Sequence, residues 1–273
     1  MNTNKIDSRL LNEIAILSLD KKIPCFVFSK NMPKTRRVLH DKNVHIMNEY
    51  LFINSFYCRA SKKEIFSLSN IDVVDFIYSL SVASCMMFVS KQILSLNSSN
   101  FSGDGVGVAF SDTGLNTHCD FLIGKNRVEI FKDFISDKSE MYDDNGHGTF
   151  VCGVCSGSGA LSKFRYSGIA PKSRIFALKA LNGQGEASAN KILDAMEWVF
   201  DNHKKLNIKV VCMSFGSEPL GHNDPIMLGA DALWKDGVVV VAAAGNSGPE
   251  YQTIKSPGIS SKIITVGGID DNR

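Results

Sequence analysis

Apolar positions along this chain fall into two textures. Up to about residue 80 they form short runs broken by polar stretches. Cys25–Ser29 is one such run, with Pro24 just before it, where a strand tolerates proline. Asn31–Asp41 is polar and suits a helix, and strand-like runs follow at Val44–Glu49 and Leu51–Cys58. Ser61-Lys62-Lys63-Glu64 has the spacing of a capping box, in which each end residue's side chain accepts from the other's backbone N–H. Ile71–Tyr78 is rich in β-branched and aromatic residues. The order predicted for residues 1–80 is β-α-β-β-α-β, a small α+β unit of ferredoxin-like arrangement, with a further helix in front from residues 5–20. Residues 81–102, with many Ser and Asn, read as a connector and processing region.

From Gly105 the texture changes. Val106–Ser111, Arg174–Leu181, Lys209–Phe215, Val238–Ala244 and Ile263–Val266 are apolar without alternation, as expected of parallel strands buried on both faces. Between them lie helical patterns. Ser188–Lys205 puts Ile192, Ala195, Met196, Val199 and Phe200 on one face, and Pro225–Lys235 starts with a proline suited to a first helical turn. Strands alternating with helices predict a doubly wound parallel α/β domain over 103–273. Such sheets bind ligands beyond the carboxyl ends of their strands, where Asp112, Ser214 and Asn246 all fall.

The 273 residues allow two domains, and a hydrophobic content of 44% allows each a core. A net charge of +2 argues against nucleic acid or an anionic membrane as a partner. The N-terminal residues lack a secretory pattern, and no apolar run approaches a bilayer span. Seven cysteines, an odd number, then suggest reduced thiols in the cytoplasm. Cys152 and Cys155 form a C-x-x-C inside the helix expected after His147, where small core-facing residues are the simpler reading.

The candidate chemistry begins with Asp112-Thr113-Gly114 at the end of a buried strand and Gly146-His147-Gly148-Thr149 at a helix start. Alone, Asp-Thr-Gly also fits an aspartic peptidase, which would need a second copy and would leave the Gly-His-Gly-Thr unexplained. Asn246 follows a strand ending in small residues, as an amide aimed at a developing oxyanion would. A nucleotide-binding reading is disfavoured, because Phe101-Ser102-Gly103-Asp104-Gly105 precedes a strand instead of following one.

These stretches resemble the subtilisin-like serine proteases, and are most similar to the intracellular, non-secreted bacterial branch. VGVAFSDTG, YDDNGHGTFVCGV, YSGIAPKSRIFALKALNGQGEAS, VVCMSFG, VVVVAAAGNSGP, TIKSPG and IITVGGID stand in family order over nearly all of 103–273. The resemblance implies an endopeptidase in which Asp112 orients His147, His147 serves as general base and then acid, and Asn246 binds the oxyanion. It implies that Ser214-Phe215-Gly216 and Gly185-Glu186-Ala187 are the two edges of a peptide cleft, and that Ala243-Ala244-Gly245 walls the P1 pocket. Lys255, near that pocket's base, would favour acidic or polar P1 residues. Residues 1–80 resemble the family's inhibitory propeptide, so the implied partners are a protein or peptide substrate and the chain's own N-terminal unit. No cofactor is implied beyond structural Ca²⁺, for which no carboxylate cluster defines a site.

Phe150, Cys152 and Cys119 depart from the family pattern, and His118 reads as structural. The family's nucleophile stands in G-T-S-x-A after the Asn, and these residues contain no such segment; Ser247 and Ser158 lack its strand-to-helix context. The readings open are a fragment of a complete protease, a subunit of a split enzyme, or a non-catalytic pseudoprotease that binds peptides. Without the serine-bearing helix, the apolar faces of 209–215 and 238–244 are expected to lose cover, and the chain alone to aggregate and to leave its connector uncut.

Overall fold

The computed structural model describes residues 3–80, 82–85, 102–164, 166–221 and 223–268. Most of the connector expected at 81–102 lies outside the described residues.

The N-terminal unit starts with helix α1 (Ser8–Ala15), capped by the Asp7 carboxylate. Strand β1 (Lys22–Ser29), helix α2 (Met32–Asp41), strands β2 (His45–Tyr50) and β3 (Ser55–Ser61), helix α3 (Lys62–Ser69) and strand β4 (Val74–Ser79) follow. The sheet is antiparallel in the order β2-β3-β1-β4. The capping box is present: Ser61 Oγ accepts from Glu64 N, and Ser61 N donates to Glu64 Oε2 at 2.7 Å. The strand expected from Leu51 starts at Ser55 instead, because Leu51–Ile53 coil into a 3₁₀ turn that ends on Asn54 in the left-handed region. One sheet face buries Val27, Phe56, Cys58 and Ile77 beneath the helices with Leu10, Leu39 and Ile65. The other face, with Phe26, Tyr50 and Tyr57, packs on the second unit.

After strand β5 (Val82–Cys85), the second unit carries strand β6 (Gly107–Asp112), the short helix α4 (Cys119–Leu122), strand β7 (Val128–Asp133) and helix α5 (His147–Ser156). Strands β8 (Arg174–Lys179) and β9 (Glu186–Ser188), helix α6 (Ala189–Leu206), strands β10 (Ile208–Met213) and β11 (Phe215–Ser217), helix α7 (Pro225–Lys235), strand β12 (Val239–Ala243) and strand β13 (Ile264–Val266) complete it. The main sheet is wholly parallel in the order β13-β12-β10-β6-β8-β7. Its central strands β6 and β8 are buried on both faces, as their apolar runs require. Ala109, Phe176, Val211 and Val240 meet α6 and α7 on one face. Val108, Phe110, Ile175 and Cys152 of α5 form a separate core on the other.

Helix α5 does not reach the β12–β13 end of its face. Val239, Ile264 and Val266 are 37%, 46% and 40% exposed there, so an apolar strip of parallel sheet stands open. Among the described residues, no helix is long and apolar enough to cross a membrane.

The two units meet along α6. Tyr50 Oη donates to Asp194 Oδ1 at 2.5 Å and to the Asn190 carbonyl at 3.1 Å, and Asn48 Nδ2 donates to Asp194 Oδ1 at 3.1 Å. Phe52 packs on Phe200, with ring centroids 5.5 Å apart. One turn on from Asp194, burial pushes the Glu197 carboxyl up to about 7, helped by the like charges of Asp201 and Asp194. A carboxyl raised on folding keeps its proton longer in the native chain. Its cost is therefore absent below the ordinary carboxylate range and develops as pH climbs towards 7. Because Glu197 is half-exposed, the effect is screened. Glu197→Gln is expected to raise the melting temperature by about 1–2 °C at pH 8 and to leave it unchanged at pH 4. Melting curves at the two pH values read the difference directly.

Candidate active site

Strand β6 ends in Asp112, whose carboxylate is buried. Its Oδ1 accepts from Thr113 N at 2.7 Å and lies 2.7 Å from His147 Nδ1. A carboxylate facing Nδ1 selects the tautomer protonated there, which leaves Nε2 as the basic nitrogen. His147 is the first residue of α5, and Gly146 caps that helix with φ +97°, a conformation that favours glycine.

The turn that delivers His147 is tied to the turn that follows Asp112. Thr113 Oγ1 donates to Asp143 Oδ1 at 2.8 Å and accepts from Gly148 N at 2.8 Å. Asp143 also accepts from Gly146 N at 2.8 Å, Thr149 N at 2.9 Å and Thr149 Oγ1 at 2.6 Å. Burial would raise the Asp143 carboxyl, but the donors from Thr149, Gly146 and Thr113 outweigh it and hold the group below its ordinary value. Sequence reasoning missed Thr113, Asp143 and Thr149 as site residues, although the Asp-Thr-Gly and His-Gly-Thr spacings that it did mark contain two of the three.

Beyond the same edge of the parallel sheet, β5 runs antiparallel between β11 and β9. Cys85, Ser84 and Ala83 stand opposite Phe215, Gly216 and Ser217, while Ser84, Ala83 and Val82 stand opposite Glu186, Ala187 and Ser188. These two short strands, Glu186–Ser188 and Phe215–Ser217, are each displaced by one residue from the stretches 185–187 and 214–216 marked in the sequence. Ser214 falls in the break between β10 and β11, and Gly185, at φ +77°, belongs to the turn before β9.

Ala243 closes β12, Ala244 N donates to the Val266 carbonyl at 2.8 Å, and Gly245 has φ +112°. Asn246 follows in an exposed bend at the carboxyl end of β12, on the edge that carries Asp112. Lys255 N donates to the Ala244 carbonyl at 2.9 Å, and Ser256 bridges to Ser217, so Lys255 stands between residues 243–245 and β11. Its ammonium is ion-paired with Glu218, a partner the sequence did not suggest.

His118 caps α4 by accepting from Asp120 N at 3.2 Å. Phe150 is exposed on α5, whereas Cys152 is buried and Cys155 half-buried beside it. Burial raises both thiols above their ordinary value, which disfavours the reactive thiolate. Among the described residues, no three His, Cys, Asp or Glu side chains converge as a metal site.

The subtilase family model matches residues 103–273, the span from just before β6 to the last residue. Serine protease AprX of Bacillus subtilis (strain 168) is 40% identical over 183 residues, which are 64% of this chain and 41% of that protein. The solved structure of sphericase aligns with a TM-score of 0.56 at 32% identity, covering 63% of this chain and 56% of its own. Fervidolysin from Fervidobacterium pennivorans, a keratinolytic enzyme related to subtilisin, aligns over 90% of this chain and 43% of its own with a TM-score of 0.65; at 16% identity this is a likeness of fold. The chain therefore spans less than half the length of AprX. With a match over residues 103–273, including the strand ends that carry Asp112 and Asn246 and the helix start that carries His147, the chain belongs to the subtilase family.

Proposed function

We propose that this chain is the front part of a serine endopeptidase held latent by its own N-terminal unit. The observation that carries the reading is the 2.7 Å contact between Asp112 Oδ1 and His147 Nδ1 at the carboxyl edge of the sheet. In this reading His147 Nε2 takes the proton of a serine hydroxyl as that oxygen attacks the substrate carbonyl. Asn246 donates to the resulting oxyanion. The imidazolium then gives its proton to the leaving amine, and a water repeats the sequence to release the acyl group. The chemistry needs no cofactor. The serine lies outside these 273 residues, in keeping with the greater length of AprX.

Substrate backbone would pair with Phe215–Ser217 on one side and Glu186–Ser188 on the other. The antiparallel pairing of β5 with both supports this, since each already accepts an extended strand of the right polarity. The same pairing supports an inhibitory role for residues 1–80, which lead directly into β5. Lys255 with Glu218 makes the end of the pocket wall polar, which supports a polar or charged P1 residue. Cys25, Cys58, Cys119, Cys152, Cys155 and Cys212 are free thiols, which supports a reducing, cytoplasmic setting.

The test is hydrolysis of a peptide library by the protein isolated at its native length. Asn246→Ala is expected to lower kcat by about 10²–10³-fold with little change in KM, a magnitude known from subtilisin itself. An unchanged kcat removes Asn246 from the mechanism. A purely bulky apolar P1 profile removes the role given to Lys255. Peptide binding without hydrolysis by that full-length protein makes the chain a non-catalytic binder or one part of a split enzyme.

A further inference from the structure

Three strands end side by side in a row of charged residues. Lys179 of β8 stands in register with Asp112 of β6 on one side and Asp133 of β7 on the other. The Lys179 side chain is only 1% exposed. Its ammonium has three donors and three acceptors: the Thr113 carbonyl at 2.6 Å, Asp144 Oδ1 at 2.5 Å and the Leu181 carbonyl at 3.1 Å. It also lies 4.8 Å from the centroid of the Tyr142 ring, whose hydroxyl donates to Asp133 Oδ2 at 2.8 Å.

Each acceptor belongs to a different segment of the site. Thr113 is the residue after Asp112. Asp144 lies in the turn that delivers His147. Leu181 begins the loop that leads to the β9 cleft edge. Burying an ammonium is costly, and an apolar side chain of similar volume commonly stabilises as well or better. Packing alone therefore does not call for a cation here.

The state of Asp112 supplies a reason. Its Oδ2 is buried with no hydrogen-bond partner among the described residues. Among the described residues, Thr113 N and His147 hold the carboxylate, both at Oδ1. Its aim is thus set by the backbone of its own turn. Lys179 grips that backbone at the Thr113 carbonyl, and the peptide N–H groups of Ala180 and Leu181 donate to the Asp112 carbonyl at 2.9 and 3.1 Å. The other end of the same ammonium draws Asp144 inward, although that carboxylate is itself 48% exposed.

We propose that Lys179 is a positioning residue for the Asp112–His147 couple, fixing the turn of each partner to one buried point charge. The proposal rests on the reading of that couple as the base of the proposed reaction. It is tested by the one-dimensional proton spectrum of the intact protein, in which a histidine Nδ1–H donated to a buried carboxylate gives a far-downfield, slowly exchanging resonance. The wild-type protein is expected to show this resonance, assigned by its loss in His147→Ala. Lys179→Met is expected to abolish it while the amide spectrum stays dispersed. Asp144→Asn alters a half-exposed side chain, so it keeps the fold and stands in should Lys179→Met not fold; it is expected to broaden the resonance by faster exchange with water. An unchanged resonance in folded Lys179→Met, or in Asp144→Asn, overturns the proposal and leaves the couple intact. Absence of the resonance in the wild-type protein overturns the couple itself.

Discussion

His147→Ala is expected to lower kcat of the full-length protein by about 10⁶-fold, the scale known for loss of the catalytic histidine in subtilisin itself. A serine hydroxyl is a weak nucleophile until a base takes its proton, and the same base must later protonate the leaving amine. Removing one imidazole removes both transfers. Asp112→Ala should cost less, about 10⁴-fold, because the imidazole remains while its tautomer and aim are lost. The double variant should be hardly worse than His147→Ala alone, since the residues act as a unit. Initial rates on one peptide amide separate these cases. A fall of ten-fold or less in His147→Ala would place the base elsewhere.

Gly148→Ala is expected to disable the site without touching a reacting atom. A Cβ on Gly148 would lie 2.3 Å from the Gly114 carbonyl oxygen and 3.0 Å from Gly114 N. Both are backbone atoms of the turn after Asp112, so no rotamer relieves the clash. Helix α5 must retreat from that turn, stretching the bond from Gly148 N to Thr113 Oγ1 and the contact between His147 and Asp112. A shift of about 1 Å at such a couple costs about 10²-fold in turnover. The overpacking itself should cost about 1–3 kcal/mol in urea unfolding. Gly153→Ala on the same helix is the control: its added Cβ meets nothing within 4 Å, and alanine in a helix interior should stabilise by up to about 1 kcal/mol. Equal stability and turnover in the two variants would contradict this packing.

Most of the main sheet was legible because β6, β8, β10 and β12 are apolar on both faces, a pattern that little besides a covered parallel sheet produces. Helix α6 showed in its 3.6-residue period, and the start of α3 in its capping box. Edge strand β7 went unread, since Val128-Glu129-Ile130-Phe131-Lys132-Asp133 mixes exposed charge with apolar residues. Strands β9 and β11 span three residues each, too few for any period, and owe their extended form to β5. Asp112, His147 and Asn246 stood out because the proposed chemistry demands particular residue types, at strand ends for Asp112 and Asn246 and at a helix start for His147. Lys179 was not: a lysine near the end of the run Arg174–Leu181 reads as the point where a strand meets solvent. It is buried because acceptors at Thr113 and Asp144, remote in sequence, converge on it. Arg127 was hidden likewise, its guanidinium donating to the carbonyls of Ser156 and Ser173 inside the second unit.

Strand β4 ends at Ser79 and β5 begins at Val82, so two residues, Leu80 and Ser81, link the docked N-terminal unit to the strand between β11 and β9. A tether this short holds its strand at an effective concentration of about a millimolar or more, whatever the concentration of the protein. While the chain is whole, occupancy of the position between β11 and β9 is therefore independent of dilution. One cut beyond Cys85 leaves β5 on the N-terminal unit, which then stays through non-covalent contacts, among them the pairing of β5 with β11 and β9, Tyr50 with Asp194 and Phe52 with Phe200. Under the proposed inhibitory role, the block would from that moment be a bimolecular equilibrium, with the duration of latency set by how dilute the two pieces are and how fast the detached unit is removed.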